Sequence, residues 1–359
     1  MIELVIEQRR RSLGGFEVGR VLPFATHKMV GPFIFFDHMG PVSFQPGIPA
    51  NVDVRPHPHI GLSTITYLFD GEIMHRDSVG SQQPIRPGEV NWMSAGRGIT
   101  HSERFERARR EGGSLNGIQA WVALPREREE MDPTFAHHAM DELPGFDEQG
   151  VRARLIAGEA HGLKAPVHTE SPLLYMHLEL QAGARASLPA DYSERALYVA
   201  AGSIELDNQR FETGQMVVLK PGITVSFTAA EPAIVMALGG EPVGPRFIEW
   251  NFVSSSRERI EQAKSDWRAG RMKLPDADNK EWIPLPPPST TAAGADVVSR
   301  AKLTASCICS LTHPTRHSDS TAAHRHLASS TRCARRIAGR RGRRCKGRDN
   351  CRGTRRCFS

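Results

Sequence analysis

The chain has 359 residues, enough for two domains with cores of their own, and its hydrophobic share of 39% is ordinary for a folded protein. Its net charge of +6 is unevenly placed: residues 289–359 hold 16 of the 46 Lys and Arg but 3 of the 40 Asp and Glu, a local +13 that leaves −7 on residues 1–288. A mildly acidic body argues against nucleic-acid binding by the folded part, and the lack of any apolar run of about 18 residues argues against a membrane-spanning helix.

The opening residues Met1-Ile-Glu-Leu-Val-Ile-Glu7 alternate like a strand and run into Arg9-Arg10-Arg11. They lack the apolar region and small-residue site of a secretory signal, so a cytoplasmic protein is expected. Residues 1–130 then read as short strands broken by Gly and Pro. Residues 33–36 are a brief apolar run before Asp37 and His38. Residues 62–69 are rich in β-branched and aromatic side chains, as strands are, and Asp70-Gly71 after them predicts a hairpin returning at Glu72. Pro87-Gly88 predicts a turn, residues 90–93 a short strand, and residues 118–124 an alternating strand stopped by Pro125.

Residues 126–171 are polar and mixed, from Arg126-Glu-Arg-Glu-Glu130 onward, and predict a connecting segment, placed at 131–172, with strand content near 151–157. His137 and His138 are adjacent there, face opposite ways on a strand, and read as a solvated pair. From residue 173 the strand pattern returns, at 174–180, 196–201, 203–206 and 214–219, punctuated by Asp207-Asn208 and Lys220-Pro221-Gly222. This repeats the punctuation of the first half, so two copies of one β-barrel plan are expected, at 1–130 and 173–288. One helix is predicted, at about 256–270. Ser255 and Glu258 fit a capping box, Ile260, Ala263 and Trp267 share a face, and Gly270 follows. Its expected role is to cover a barrel flank.

Residues 289–359 differ in kind. They hold all six cysteines, Cys307, Cys309, Cys333, Cys345, Cys351 and Cys357, together with pairs such as Arg335-Arg336 and Arg343-Arg344. Such a composition cannot bury enough apolar surface to offset chain entropy, and disorder is expected. A basic nucleic-acid-binding tail and scattered zinc ligands are alternative readings. The abrupt change after residue 288 favours out-of-frame translation of GC-rich DNA or a sequencing error.

The chemistry is concentrated between His57 and Glu103. Pro56-His57-Pro58-His59 and Gly98-Ile-Thr-His101-Ser-Glu103 each carry two metal-competent side chains two residues apart. On a strand, residues so spaced point to one face. Two such strands side by side would aim His57, His59, His101 and Glu103 at one point, a set suited to a divalent first-row metal. A lone His-x-His is weak: His324-Arg-His326 in the tail has the same spacing. Four ligands leave open positions on an octahedral ion, close to the two-His-one-carboxylate sites that hold non-haem Fe(II), and residues 1–288 have no thiolate for a structural zinc cage. His75 and Asp77, also two apart, read as hairpin or surface residues, with a supporting role beside the ligands as the alternative.

Phe35-Phe36-Asp37-His38-Met39-Gly40-Pro41, Pro56-His57-Pro58-His59-Ile-Gly-Leu62, Met74-His75-Arg76-Asp77-Ser78 and Ala95-Gly-Arg-Gly-Ile-Thr-His101-Ser-Glu103 together resemble the pirin family. Thr66-Tyr-Leu-Phe-Asp-Gly71 and Gln119-Ala-Trp-Val-Ala-Leu-Pro125 add to the likeness, which spans about residues 1–286. The resemblance implies an all-β bicupin, two barrels with a C-terminal helix packed on them. It implies Fe(II), or another divalent first-row metal, held by His57, His59, His101 and Glu103. It implies a quercetin 2,3-dioxygenase type of reaction, in which a flavonol-like substrate is opened by O₂ with release of carbon monoxide, Glu103 acting as catalytic base. The alternative it carries is an iron-binding regulatory module, as in members described as nuclear transcription cofactors. Two departures stand out. Ser63 occupies the place where many cupins carry a glutamate, so Glu103 must supply the carboxylate. The second barrel has Leu188-Pro-Ala-Asp-Tyr192 in place of a His pair, and is expected to be metal-free. A monomer is expected.

Overall fold

Two-residue alternation explains most of the architecture. Along Leu62–Asp70, Leu62 and Leu68 pack on one side, while Ile65 and Tyr67 join a separate apolar cluster on the other. Along Leu173–Leu180, Leu174, Met176 and Leu178 fill one core, while Leu173 and Tyr175 reach that same shared cluster. Strands buried on both faces must sit in the middle of a layered structure. The computed structural model describes residues 1–12 and 15–287. The expected disordered tail, 289–359, lies outside them.

The first barrel pairs two antiparallel sheets. One runs in the order Thr134–His138, Val90–Ser94, Leu62–Asp70, Gly113–Ala123, Phe33–Phe44, Glu17–Leu22, Arg9–Ser12; the other in the order Val54–His59, Ile99–Arg104, Ile73–Asp77, Gln82–Ile85. The second barrel repeats this plan, with a larger sheet centred on Glu194–Ala201, Ala233–Gly240 and Leu173–Leu180 and a four-stranded sheet from Arg185–Leu188 to Gln209–Glu212. The all-β bicupin expectation is met. The two large sheets meet face to face through the cluster that joins Phe33, Ile65, Tyr67 and Ile118 to Tyr175, Tyr198, Met216 and Leu238. Some polar groups inside it are paired: Tyr67 Oη is 2.9 Å from His177 Nδ1, and His38 Nδ1 is 2.9 Å from Tyr198 Oη, while Tyr175 Oη and His177 Nε2 are buried without a hydrogen-bond partner.

Several elements fall elsewhere than the sequence suggests. Ile2–Glu7 pairs with Gln215–Leu219 of the second barrel, because Ile6 fills the shared cluster while Ile2 and Val5 pack on the second core. The segment 131–172 supplies strands to both barrels: Thr134–His138 extends the first, Gly145–Glu148 and Val151–Ala160 the second. Asp70-Gly71 does not form a hairpin. The strands on either side, Leu62–Asp70 and Ile73–Asp77, belong to different sheets, and Gly71 turns the corner at φ 97°. The helix is Arg257–Arg268, capped one residue later than expected: Ser256 Oγ accepts from Arg259 N at 3.3 Å.

That helix buries Ile260, Ala263 and Trp267 against Ile60 and Phe252, so the flank it covers is that of the first barrel. The chain beyond it crosses the histidine-bearing strands. Ile283 N donates to Pro56 O at 2.8 Å, and Arg104 pairs with Asp278 at 2.7 Å and Glu281 at 3.0 Å. Among the described residues no helix is long and apolar enough to cross a membrane.

Candidate metal centre

Val54–His59 is the edge of its sheet, which is why Pro56 and Pro58 can alternate with His57 and His59 without breaking a ladder. It pairs antiparallel with Ile99–Arg104, with His57 opposite His101. On the other side of that central strand, Asp77 stands opposite His101 and His75 opposite Glu103. The register against Val54–His59 shifts between His101 and Glu103, an irregularity of the kind that re-aims side chains beside functional sites.

His57, His59 and His101 converge. Each offers a nitrogen, and these nitrogens all lie within 4.8 Å of one another. The rings are 4.4 to 5.0 Å apart by centroid. All three are buried. Burial drives His57 down to about 4, and holds His59 and His101 well below the ordinary imidazole value with help from their neighbouring rings. The three are therefore neutral near pH 7, the form in which imidazole binds a metal. His57 Nδ1 donates to Arg55 O at 2.9 Å and His59 Nδ1 to Asn251 O at 3.1 Å, which leaves the lone pair of each ring on Nε2; His59 Nε2 lies 3.2 Å from His101 Nε2. A donor set of converging, deprotonated imidazole nitrogens with their outer nitrogens engaged fits a first-row metal ion. The carboxylate of Glu103 stands outside the three-nitrogen group but lines the same cavity as His57 and His59. Burial pushes Glu103 up to about 7. Ser63 hydrogen-bonds Ser94 at 2.8 Å and shares the parity of Ile65 and Tyr67, the side facing the other barrel.

The cavity beside these residues is about 480 Å³. One wall is a flat stack. Phe35 lies on Trp121 with centroids 4.0 Å apart and planes at 13°, and the Arg20 guanidinium covers the other face of Phe35 at 4.4 Å. Arg20 is clamped by both oxygens of Asp37 at 2.7 Å. Trp121 meets His59 edge-on at 5.1 Å. Trp250, Asn251 and Ile283, from far along the chain, complete the lining.

The pirin family model matches residues 15–122, and the model of the pirin C-terminal cupin domain matches residues 175–273. A pirin-like protein of Caulobacter vibrioides is 65% identical over 287 residues, 80% of this chain and 100% of that relative. The chain belongs to the pirin family. A Pseudomonas aeruginosa relative that carries the provisional name quercetin 2,3-dioxygenase is 38% identical over 271 residues, 75% of this chain and 84% of its own length. The crystal structure of quercetin 2,3-dioxygenase from Acinetobacter baumannii superposes with a TM-score of 0.74 at 30% identity, covering 81% of this chain and 97% of that one.

Of four further contributors to the site, His75 and Asp77 carry a supporting role in the sequence only as the alternative reading, and Asn251 and Glu129 carry none. His75 and Asp77 are 5% and 1% exposed, where a hairpin or surface position was expected: His75 reaches His101, and Asp77 holds His75. Their spacing was the available signal. Asn251 acts through its main-chain oxygen, which leaves no trace in residue identity. Glu129 sits in a stretch read as a polar connection, yet it is buried, pairs with Arg246 at 2.8 Å and accepts from Ser254 Oγ at 2.8 Å, fastening the C-terminal hairpin beside His59.

Proposed function

We propose that this chain is a metal-dependent dioxygenase that opens the ring of flavonol-like phenols with O₂ and releases carbon monoxide. The observation that carries this reading is the three-imidazole cluster opening onto a cavity walled by stacked aromatic rings. The names of the Pseudomonas and Acinetobacter relatives support it. In the proposed site His57, His59, His101 and Glu103, the last from the cavity wall, would hold Fe(II). When bound, the ion supplies Lewis acidity and open positions for O₂ and a substrate oxygen.

The protein's share is positioning and proton handling. The Phe35–Trp121 stack gives the cavity an aromatic wall suited to a planar polyphenol, and the fixed Arg20 guanidinium offers donors to its oxygens. Glu103, on the cavity wall beside the imidazoles, is placed to take the proton of an enolic 3-hydroxyl. The closing segment through Ile283 limits entry of water. A monomeric, cytoplasmic protein whose folded body binds neither membrane nor nucleic acid belongs to the same reading.

Anaerobic reconstitution with Fe(II), then addition of quercetin and air, tests it. Carbon monoxide release that disappears in His101→Ala is the expected result. Tightly bound iron with no turnover on a panel of flavonols would sink the dioxygenase and favour an iron-dependent interaction module.

A further inference from the structure

His101 differs from its two companions in what holds its outer nitrogen. The partners of His57 and His59 are main-chain carbonyls, which can only accept, so both rings carry their proton on Nδ1 and keep the Nε2 lone pair for the cavity. His101 Nδ1 instead lies 3.3 Å from Nδ1 of His75, a nitrogen able to donate or accept. That contact alone does not select a tautomer for His101.

The selection is made one residue further out. His75 Nε2 lies 3.0 Å from Asp77 Oδ2, and an ionised carboxylate only accepts. The other oxygen, Oδ1, accepts from Val79 N at 3.0 Å and Ser81 N at 2.9 Å, which fixes the carboxylate in place. The His75 ring is stacked on Phe135, with centroids 4.5 Å apart and planes at 18°, so it cannot turn over freely. With a single proton, His75 carries it on Nε2 and presents a bare Nδ1. His101 must donate to it from its own Nδ1. Its Nε2 lone pair is then left facing His59 Nε2, 3.2 Å away.

We propose that Asp77 and His75 are positioning residues, a two-step relay that sets the tautomer of His101 and so completes the three-nitrogen metal site. The relay rests on the metal reading for its purpose, though not for its chemistry. It does through a second side chain what carbonyls do for His57 and His59.

Asp77→Asn isolates the effect. The two backbone donors of Val79 and Ser81 hold the amide oxygen where Oδ1 was, so the NH₂ group faces His75 Nε2. His75 must then carry its proton on Nδ1, and His101 must move its proton to Nε2, the ligand position. The first measurement is ¹⁵N imidazole NMR of the metal-free protein. The parent should show His101 protonated on Nδ1, and Asp77→Asn should show it on Nε2. The second is Fe(II) affinity by chelator competition, which should fall about 10- to 100-fold in Asp77→Asn, in line with the loss of other such supporting partners. His75→Phe, which keeps the stack on Phe135 and removes the acceptor, should weaken Fe(II) binding in the same way. His101 protonated on Nε2 in the parent, or on Nδ1 in Asp77→Asn with unchanged Fe(II) affinity, would overturn the relay. If Asp77→Asn fails to fold, the parent spectrum still decides. A parent with the expected tautomers that binds no metal ion would sink the metal reading and leave the relay standing.

Discussion

Inside the first barrel, the inward side chains around His57, His59, Glu103 and Gln119 leave a cavity of about 480 Å³, with His101 packed against the two histidines. Inside the second, the equivalent space is filled by Leu155, Met176, Leu178, Leu197, Val199 and Phe227, and among the described residues it has no cluster of metal-competent side chains. The strand plan is shared and the filling is not. A barrel that keeps polar ligands and a void in its centre gives up apolar burial there, and needs every buried donor matched. A solid neighbour joined to it through a wide apolar seam supplies rigid walls at no chemical cost. Chemistry and support are thus divided between two copies of one architecture.

The sharpest way to break this contrast is His101→Ala. Removing one of three converging nitrogens should abolish Fe(II) retention and carbon monoxide release, while the melting transition of the metal-free protein survives; metal analysis and calorimetry read both. In the second barrel the effect should be reversed. Leu197, fully buried, lies in the apolar filling, and Leu197→Ala should cost about 3–5 kcal/mol in denaturant unfolding. The Fe(II) content of the protein that remains folded should not change. If Leu197→Ala lowered Fe(II) affinity as strongly as stability, the division of roles would fail.

Acid should act on both the site and the seam. His57 lies at about 4 and His177, in the seam, at about 3, both depressed by burial from 6.5. The unfolded chain takes up these protons below about 6.5 and the folded one does not. Stability of the metal-free protein is therefore fully present above about 6.5 and falls as pH drops towards 4 and then 3. Each such histidine contributes a loss of about 3 kcal/mol or more at the acid end. His177→Phe should flatten part of that slope, and an unchanged slope would count against the buried neutral histidine. Smallest of all, Ser256→Ala should cost about 1 kcal/mol by uncapping the C-terminal helix, with Fe(II) affinity kept.

Much of this was legible because strands and helices impose short periods. The two-residue spacing of His57, His59 and His101, Glu103 named the side chains of the candidate site, and Ile260, Ala263 and Trp267 named the buried face of the helix. Partner choice was not legible. Alternation marks Ile2–Glu7 as a strand but cannot say that it pairs with Gln215–Leu219. Asp70-Gly71 suits a hairpin and a corner between sheets equally, since both need the same positive φ at Gly71. His75 and Asp77 looked exposed because what covers them, Phe135 and His101, comes from other strands. Glu129 stood in a polar connection with no sign of burial because its partner Arg246 is far along the chain.

The acceptor for His59 Nδ1 is the carbonyl of a residue 192 positions later, and the strand that opens the chain has its partner beyond residue 214. During synthesis the first barrel therefore leaves the ribosome with its edge histidine unsupported, and the leading strand waits for a neighbour not yet translated. Neither half can be finished ahead of the other. Completion of the three-histidine site is thereby deferred until nearly the whole folded body has emerged.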